Sequence, residues 1–234
     1  MKQLFTFCCC VLLSLALLLS ACSPAVSFVE ADTPSFPGLT WGMSKEEAFE
    51  ALGVTEEDSK ETVEVSNVPM DSYVVESYRV AGNTVSIALL FPSDEWVEET
   101  GLDLGLVRVH MRCDSETGAH IANEMDQGGY SVEESQMGKT WSGKNSSYQA
   151  FTEKGLWDAI QPILITLHGL DGADLADIRG LESPEKAVTE TAKSNSLSVL
   201  SSIDLSEESN LYAFEYNGLY AAVLALAEKQ QTAE

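Results

Sequence analysis

The sequence predicts an α+β fold in which helix-plus-antiparallel-meander units are followed by a helical C-terminal region. Helix-start signals alternate with runs of period-2 hydrophobic residues, and glycine-containing turns separate those runs. A helix followed by strands occurs twice, beginning near Ser44 and Ser115, which predicts two tandem units. The chain has 234 residues and is 44% hydrophobic, enough for a sizeable core in one or two domains.

The N-terminal segment, residues 1–21, has the parts of a secretion signal. One lysine precedes an apolar run that is shorter than the roughly 20 residues needed to cross a bilayer core, so an uncleaved membrane helix is the weaker alternative. The run ends in Leu19-Ser20-Ala21-Cys22, which resembles the lipobox of bacterial lipoproteins. This resemblance implies cleavage between Ala21 and Cys22 and a diacylglyceryl group on Cys22. Two acyl chains would anchor the protein stably on the extracytoplasmic face of the cell membrane.

The positions of the cysteines bear on how the body is stabilised. Three of the five, Cys8, Cys9 and Cys10, lie inside the signal, and Cys22 is the predicted lipidation site. Only Cys113 remains for the folded body, so no intramolecular disulfide is predicted. The fold therefore rests on its core, and Cys113 is interpreted as a buried structural residue.

Residues 22–37 are predicted to form a lipid-anchored tether. The segment contains three prolines and many small residues, without hydrophobic periodicity. Fully extended, it reaches roughly 50 Å. The folded body is therefore expected near the membrane but clear of it.

The net charge of −24 excludes several classes of function. Removal of residues 1–21 takes away Lys2 alone, which leaves −25. Nucleic-acid binding and a polybasic membrane patch both require clustered lysine and arginine, so neither is expected. We interpret the acidity mainly as a solubilising surface, with a cationic partner or weak Ca²⁺ association as alternatives.

The first unit of the body covers residues 38–113. Ser44 and Glu47 form a capping box, which predicts a helix that ends at Gly53. Strands over Tyr73–Val80 and Thr84–Phe91 are predicted to form a hairpin. An acidic loop over residues 92–101 and a strand over residues 102–113 complete the unit.

The second unit covers residues 114–168 and completes a predicted α+β domain, 38–168. A helix is predicted over Ser115–Gln127 and ends at a Gly-Gly pair. Three strands are then predicted, over Met137–Ser142, Ser147–Glu153 and Leu156–His168.

The C-terminal region, residues 169–234, is predicted to be helical. One helix is expected from Ser183 to about residue 200 and another over residues 206–231. The second would align Tyr212, Tyr216 and Tyr220 at i, i+4 and i+8. Such a stripe is either a packed seam or a site for a protein partner.

The Trp41-Gly42-Met43-Ser44 opening, with the capped helix that follows it, resembles a module common in uncharacterised lipoproteins of Gram-positive bacteria. It is similar, more distantly, to small helix-plus-meander lipoproteins of the outer-membrane barrel-assembly machinery. The β-lactamase inhibitor proteins share that architecture as a tandem pair. The resemblance covers about residues 36–113. It implies a protein-interaction module and brings no catalytic residue to this chain.

A basic stripe is predicted in the strand 102–113. Because side chains alternate along a strand, Arg108, His110 and Arg112 share one face, whereas Cys113 lies on the other. This geometry disfavours a metal site of His110, Cys113 and His120. The stripe is interpreted as pairing with local carboxylates on a solvated sheet face, and the alternative is a site for an anion or an acidic peptide.

Other suggestive patterns have structural explanations. Residues 138–145 approach a phosphate-binding loop, but Asn145 replaces the Ser or Thr that would bind Mg²⁺. Acidic residues 171, 174 and 177 fit a helix start better than a Ca²⁺ loop. The tryptophans are interpreted as core rather than as a sugar-stacking platform. No catalytic residue, metal or cofactor is predicted.

The sequence thus predicts a membrane-anchored extracytoplasmic lipoprotein with a non-catalytic interaction role, as an adaptor, a sensor or an inhibitor-like protein. The expected partners are the membrane, through the diacylglyceryl group on Cys22, and an unidentified protein. A solute- or glycan-binding lipoprotein is the alternative, and a hydrolase using paired carboxylates ranks third.

Overall fold

A computed structural model describes most of the predicted body. The described residues are 36–54, 60–65, 68–80, 83–128, 130–135, 138–143, 153–168, 197–203 and 211–232. Outside them lie the predicted signal peptide, the predicted lipidation site Cys22 and the predicted tether up to residue 35. Residues 147–152 of the strand predicted over Ser147–Glu153, and residues 183–196 of the helix predicted from Ser183 to about residue 200, also lie outside them. Among the described helices, none is both long enough and apolar enough to cross a membrane.

The described residues form five helices and eight strands. In chain order these are α1 (Lys45–Leu52), β1 (Lys60–Val65), β2 (Val68–Val80), β3 (Asn83–Pro92), α2 (Asp94–Thr100), β4 (Arg108–Asp114), α3 (Ser115–Gln127), β5 (Ser131–Ser135), β6 (Gly138–Gly143), α4 (Glu153–His168), β7 (Leu197–Ile203), β8 (Leu211–Asn217) and α5 (Leu219–Thr232).

The strands build one antiparallel sheet in the order β1-β2-β3-β4-β8-β7-β6-β5. Two four-stranded meanders, β1–β4 and β5–β8, therefore meet where β4 pairs with β8. Each meander is preceded by a helix, α1 or α3. The predicted α+β class, helices with an antiparallel meander sheet, is confirmed.

The main core lies on one face of this sheet. Alternate residues of β3, β4 and β8 point into it, and α1 and α3 contribute their apolar sides. It includes Phe49, Ile87, Val109, Met111, Ile121, Met125, Trp141, Phe214 and Tyr216, all less than a tenth exposed.

A second hydrophobic cluster brings α2, α4 and α5 together with the end of the sheet. It includes Met70 of β2, Leu90 of β3, Trp96 of α2, Ile163 of α4 and Val223 of α5. Leu90 precedes Phe91 of the main core, so this cluster reaches the opposite face of β3. The helices α1 and α3 therefore pack on one face of the sheet, and α2, α4 and α5 contribute to the cluster that reaches the other face.

The predicted capping box is present at the start of α1. The backbone N–H of Glu47 donates to Ser44 Oγ at 3.2 Å, and the N–H of Ser44 donates to Glu47 Oε2 at 2.8 Å. Gly53 ends the helix in the left-handed conformation, with φ of 66°. The helix α3 and the hairpin β2–β3 are also confirmed.

Two predictions in the central part of the chain are wrong. Residues 92–101 were expected as a loop, but Ser93 caps α2 by accepting from the N–H of Trp96 at 3.3 Å. Leu156–His168 was expected as a strand, but it belongs to α4. Ile160, Ile163 and Leu167 are buried at helical spacing, so a period of 3.6 governs this apolar run.

The C-terminal helix is confirmed over Leu219–Thr232, but residues 206–231 do not form one continuous helix. Residues 211–217 form β8, because Phe214 and Tyr216 are buried while Ala213 and Glu215 alternate with them on the other face. The end of the helix expected up to residue 200 is also wrong, since Leu197–Ile203 is β7.

Candidate functional site

A half-exposed surface lies on the sheet face opposite the main core, where β3, β4 and β8 run side by side. We call it the platform. Because Ile87, Met111 and Phe214 point into the core, their neighbours along each strand point to this surface. The platform consists of Ser86, Ala88, His110, Arg112, Ala213 and Glu215.

The strand register arranges these residues in two rows across the sheet. In the first row Arg112 is flanked by Ser86 and Ala213. In the second row His110 lies between Ala88 and Glu215. Small side chains thus flank Arg112, which is exposed, whereas Nε2 of His110 is buried and accepts or donates no hydrogen bond within the described residues.

Glu215 is the local carboxylate of the basic stripe. Its Oε1 accepts from Arg108, whose side chain is only 14% exposed, and its Oε2 lies 3.9 Å from His110 Nε2. The predicted pairing of the stripe with carboxylates is therefore confirmed for Arg108. Glu215 comes from a strand far along the chain, and sequence patterns could not identify it.

Arg112 differs from Arg108 in exposure and in its contacts. It is exposed, and within the described residues it forms no ion pair or side-chain hydrogen bond. A guanidinium presents five donors in a rigid fork, a geometry that suits a carboxylate. The local charge balance of Arg108, Arg112 and Glu215 is positive, although the chain as a whole carries −24.

His110 is the titratable group at the centre of the platform. Burial lowers its pKa below the ordinary histidine value, the Glu215 carboxylate opposes that shift, and Arg108 and Arg112 add to it. The neutral imidazole is therefore favoured at pH 7, where it can accept as well as donate a hydrogen bond.

The structure does not form the predicted tyrosine stripe. Tyr216 is 1% exposed in the main core, where its ring meets Phe36 edge-on at a centroid distance of 5.4 Å. Burial raises its pKa well above the ordinary value. Tyr212 belongs to β8, whereas Tyr220 belongs to α5. The predicted tyrosine stripe is wrong because it required one helix over residues 206–231, whereas residues 211–217 form a strand and the helix begins at Leu219.

His110 and Cys113 lie on opposite faces of β4, as the alternation predicts. Cys113 is buried, and burial is the main reason that its pKa rises to about 12. The thiol is therefore a poor nucleophile and a poor metal ligand. Within the described ranges, His, Cys, Asp and Glu residues nowhere gather into a group that could hold a metal ion.

Three of the tryptophans are core residues. Trp41, Trp96 and Trp141 are 7%, 9% and 0% exposed, so they are not available for sugar stacking. The phosphate-loop resemblance is also explained by structure, because Lys139 lies on β6 and pairs with Asp126 at 2.6 Å. Tyr148 and the side chain of Trp157 lie outside the described part of the structure.

A pocket of about 160 Å³, which the sequence patterns did not indicate, lies between α1, α2, β2 and β3. Asp71 in the pocket wall is 3% exposed. Its carboxylate forms a salt bridge with Lys60 Nζ at 2.7 Å and accepts a hydrogen bond from Thr62 Oγ1 at 3.1 Å. Lys45 Nζ donates to the Tyr73 hydroxyl at 3.3 Å. A carboxylate among the mostly apolar residues of the first half of β2 was the one signal that could have pointed to it.

No family model matches the chain, and neither a curated protein nor a solved structure is similar to it. The chemistry of the platform and of the pocket therefore carries the functional argument.

Proposed function

We propose that this protein is a lipid-anchored extracytoplasmic protein-binding module and that the platform holds its partner. The supporting observation is a half-exposed sheet face in which small residues surround Arg112, His110 and Glu215. A half-exposed sheet face of this kind suits a folded protein better than a small solute, which is normally enclosed in a cavity.

The composition of the platform supports a protein partner. Arginine is enriched at protein interfaces, and complementary charges orient two proteins as they associate. Ser86 and Ala213 have short side chains on either side of the exposed Arg112, so a partner side chain can reach its guanidinium. The net charge of −24 disfavours nucleic acid and keeps the body away from an anionic bilayer.

The N-terminal residues support the location. The lipobox ending at Cys22 would attach the chain to the membrane, and the tether would let the platform search a radius of roughly 50 Å. The partner is therefore expected at the outer surface of the membrane. Adaptor, sensor and inhibitor-like roles all use such a displayed surface.

Site-specific photo-crosslinking in living cells tests the binding surface. A photoreactive residue replaces Ser86 on the platform, and a matched control replaces Glu116, which is exposed on α3. We expect a reproducible protein adduct from Ser86 and none from Glu116. Failure to obtain any adduct from the platform, or the same adducts from both positions, contradicts the proposal.

Labelling with radioactive palmitate tests the anchor. A Cys22→Ala variant should lose the label and leave the membrane fraction, because both acyl chains depend on that residue. A Cys113→Ala variant serves as the control and should keep the label. A Cys22→Ala protein that still carries palmitate would contradict the lipid anchor.

Solute binding is the second candidate, and the pocket between α1 and β2 favours it. Its volume of about 160 Å³ is below the roughly 300–1,000 Å³ of typical ligand sites, which places it behind protein binding. A thermal-shift screen with free amino acids and small sugars tests it. A ligand that raises Tm in the native protein but not in a Tyr73→Phe variant would support this role.

A further inference from the structure

We propose that the partner presents a carboxylate side chain to the platform, and that Arg112 receives this carboxylate with His110 beside it. The inference rests on the proposed function and names the chemistry of the partner at the same surface. In this arrangement Glu215 is the internal carboxylate that already neutralises Arg108.

The division of roles follows from the contacts of the two arginines. Arg108 is mostly buried and its guanidinium is engaged by Glu215. Arg112 is exposed two rows away on the same face and has no ion pair within the described residues. The two arginines on one strand therefore differ in function, one structural and the other open to an incoming group.

The neighbours of Arg112 leave room for that group. Ser86 on β3 and Ala213 on β8 are its partners across the sheet, and both have short side chains. A carboxylate can approach the guanidinium from above and accept two parallel hydrogen bonds. His110 lies in the adjacent row with its Nε2 buried and 3.9 Å from Glu215 Oε2, so Arg112 supplies the hydrogen bonds to the incoming carboxylate.

The charge of the whole protein adds a signature that an ordinary basic site lacks. At long range the −24 chain repels an acidic partner, whereas at contact Arg112 attracts it. At physiological ionic strength the Debye length is about 8 Å, so salt screens the long-range repulsion more than the contact between Arg112 and the partner carboxylate. Moderate salt should therefore strengthen the binding of an acidic segment and weaken that of a basic segment.

Fluorescence anisotropy with the full lipidated chain in neutral detergent tests the inference. The probe is a labelled hexaglutamate peptide, with hexalysine as the opposite-charge probe. Arg112→Gln should weaken hexaglutamate binding about tenfold, the size expected for a charge-assisted hydrogen-bonded pair. Arg79→Gln, which removes an exposed arginine at the hairpin end of β2, is the matched control and should change binding less than twofold.

The conservative variant and the salt dependence complete the test. Arg112→Lys keeps the positive charge but loses the forked donors of the guanidinium. Its affinity for hexaglutamate should therefore lie between those of the native protein and of Arg112→Gln. Equal loss in the Arg112 and Arg79 variants, or hexaglutamate binding that only weakens with salt, would overturn the inference. Unfolding midpoints of all variants show whether a loss comes from misfolding, and Arg112→Lys remains informative if Arg112→Gln is unstable.

The outcome separates this inference from the proposed function. A Ser86 adduct with a protein partner whose binding is indifferent to Arg112→Gln would overturn the carboxylate chemistry and keep the binding surface. Absence of any Ser86 adduct would contradict the proposal that the platform binds a protein, regardless of the result with hexaglutamate.

Discussion

The indole ring of Trp41 lies directly against Gly218, at the turn between β8 and α5. A Cβ atom on Gly218 would fall 2.0 Å from Cδ2 of that ring. The neighbouring Gly42 approaches Ala225 of α5, and its carbonyl accepts from Lys229 Nζ at 3.2 Å. Trp41 and Gly42 thus pack the start of the folded body against the turn before α5 and against α5 itself.

We expect Gly218→Ala to lower the free energy of unfolding by about 1–3 kcal/mol, because the added methyl displaces the buried indole of Trp41. Urea unfolding monitored by circular dichroism measures the change. A double-mutant cycle with Trp41→Ala gives the control, since the cost of Gly218→Ala should shrink once the ring is gone. Additive costs would show that the strain lies elsewhere.

Local patterns predicted much of the fold, and contacts between distant segments account for the errors. The capping box at Ser44 and Glu47 lies within one turn, so the sequence alone locates it. Tyr212 and Tyr216 were misassigned because a spacing of four places two side chains on one face in a helix and also in a strand. Only the pairing of β8 with β4 decides between them.

The candidate site also combines features that local sequence patterns predict with features that depend on contacts between distant segments. The shared face of Arg108, His110 and Arg112 follows from period-2 alternation within one strand, and it was predictable. Their carboxylate, Glu215, is brought to them by the pairing of β4 with β8, and it accepts from Arg108, which lies 107 positions away in the sequence. The pocket beside Asp71 depends on four elements, so the residue pattern of β2 could draw attention to Asp71 but could not reveal the pocket itself.

Asp126 is expected to stabilise the packing of α3 on β6. It accepts from the indole N–H of the fully buried Trp141 at 2.9 Å and from Lys139. Asp126→Ala leaves that N–H without its acceptor and should cost about 1–3 kcal/mol. Asp126→Asn keeps an acceptor and should cost less, and Glu98→Ala on the exposed side of α2 is the charge-matched control. Urea unfolding of the three variants gives the comparison.

The pH dependence of this interaction has a defined sign. Hydrogen bonds from Lys139 and then from Trp141 lower the pKa of Asp126 below its ordinary value. A carboxyl whose folded-state pKa is depressed stabilises the fold above its unfolded pKa of about 3.9, and that contribution disappears as the pH falls through the folded value. The difference in stability between the native protein and Asp126→Asn should therefore narrow in acid. A difference that widens in acid would contradict this assignment.

Cys113 is expected to be inert in the folded state. Burial first, and the Asp114 carboxylate second, raise the pKa of its thiol to about 12, so almost no thiolate exists near pH 8. In a chain that begins at Ser23, where Cys113 is the single thiol, iodoacetamide should react at least about 100-fold more slowly before unfolding than after it. Mass spectrometry follows the adduct. Rapid labelling of the folded protein would show that this part of β4 is accessible.

His110 should titrate below the ordinary histidine pKa of about 6.5, chiefly because it is buried. The Glu215 carboxylate favours the protonated ring, so Glu215→Gln should lower the pKa of His110 further, and Arg112→Gln should raise it. NMR titration of the imidazole resonances measures both shifts, with Glu95→Gln on α2 as the control that leaves the platform unchanged. Because the folded pKa is depressed, His110 stabilises the fold above pH 6.5, and this contribution is lost as the pH falls toward the folded value. A His110 pKa that does not respond to Glu215→Gln would show that the two side chains are not neighbours.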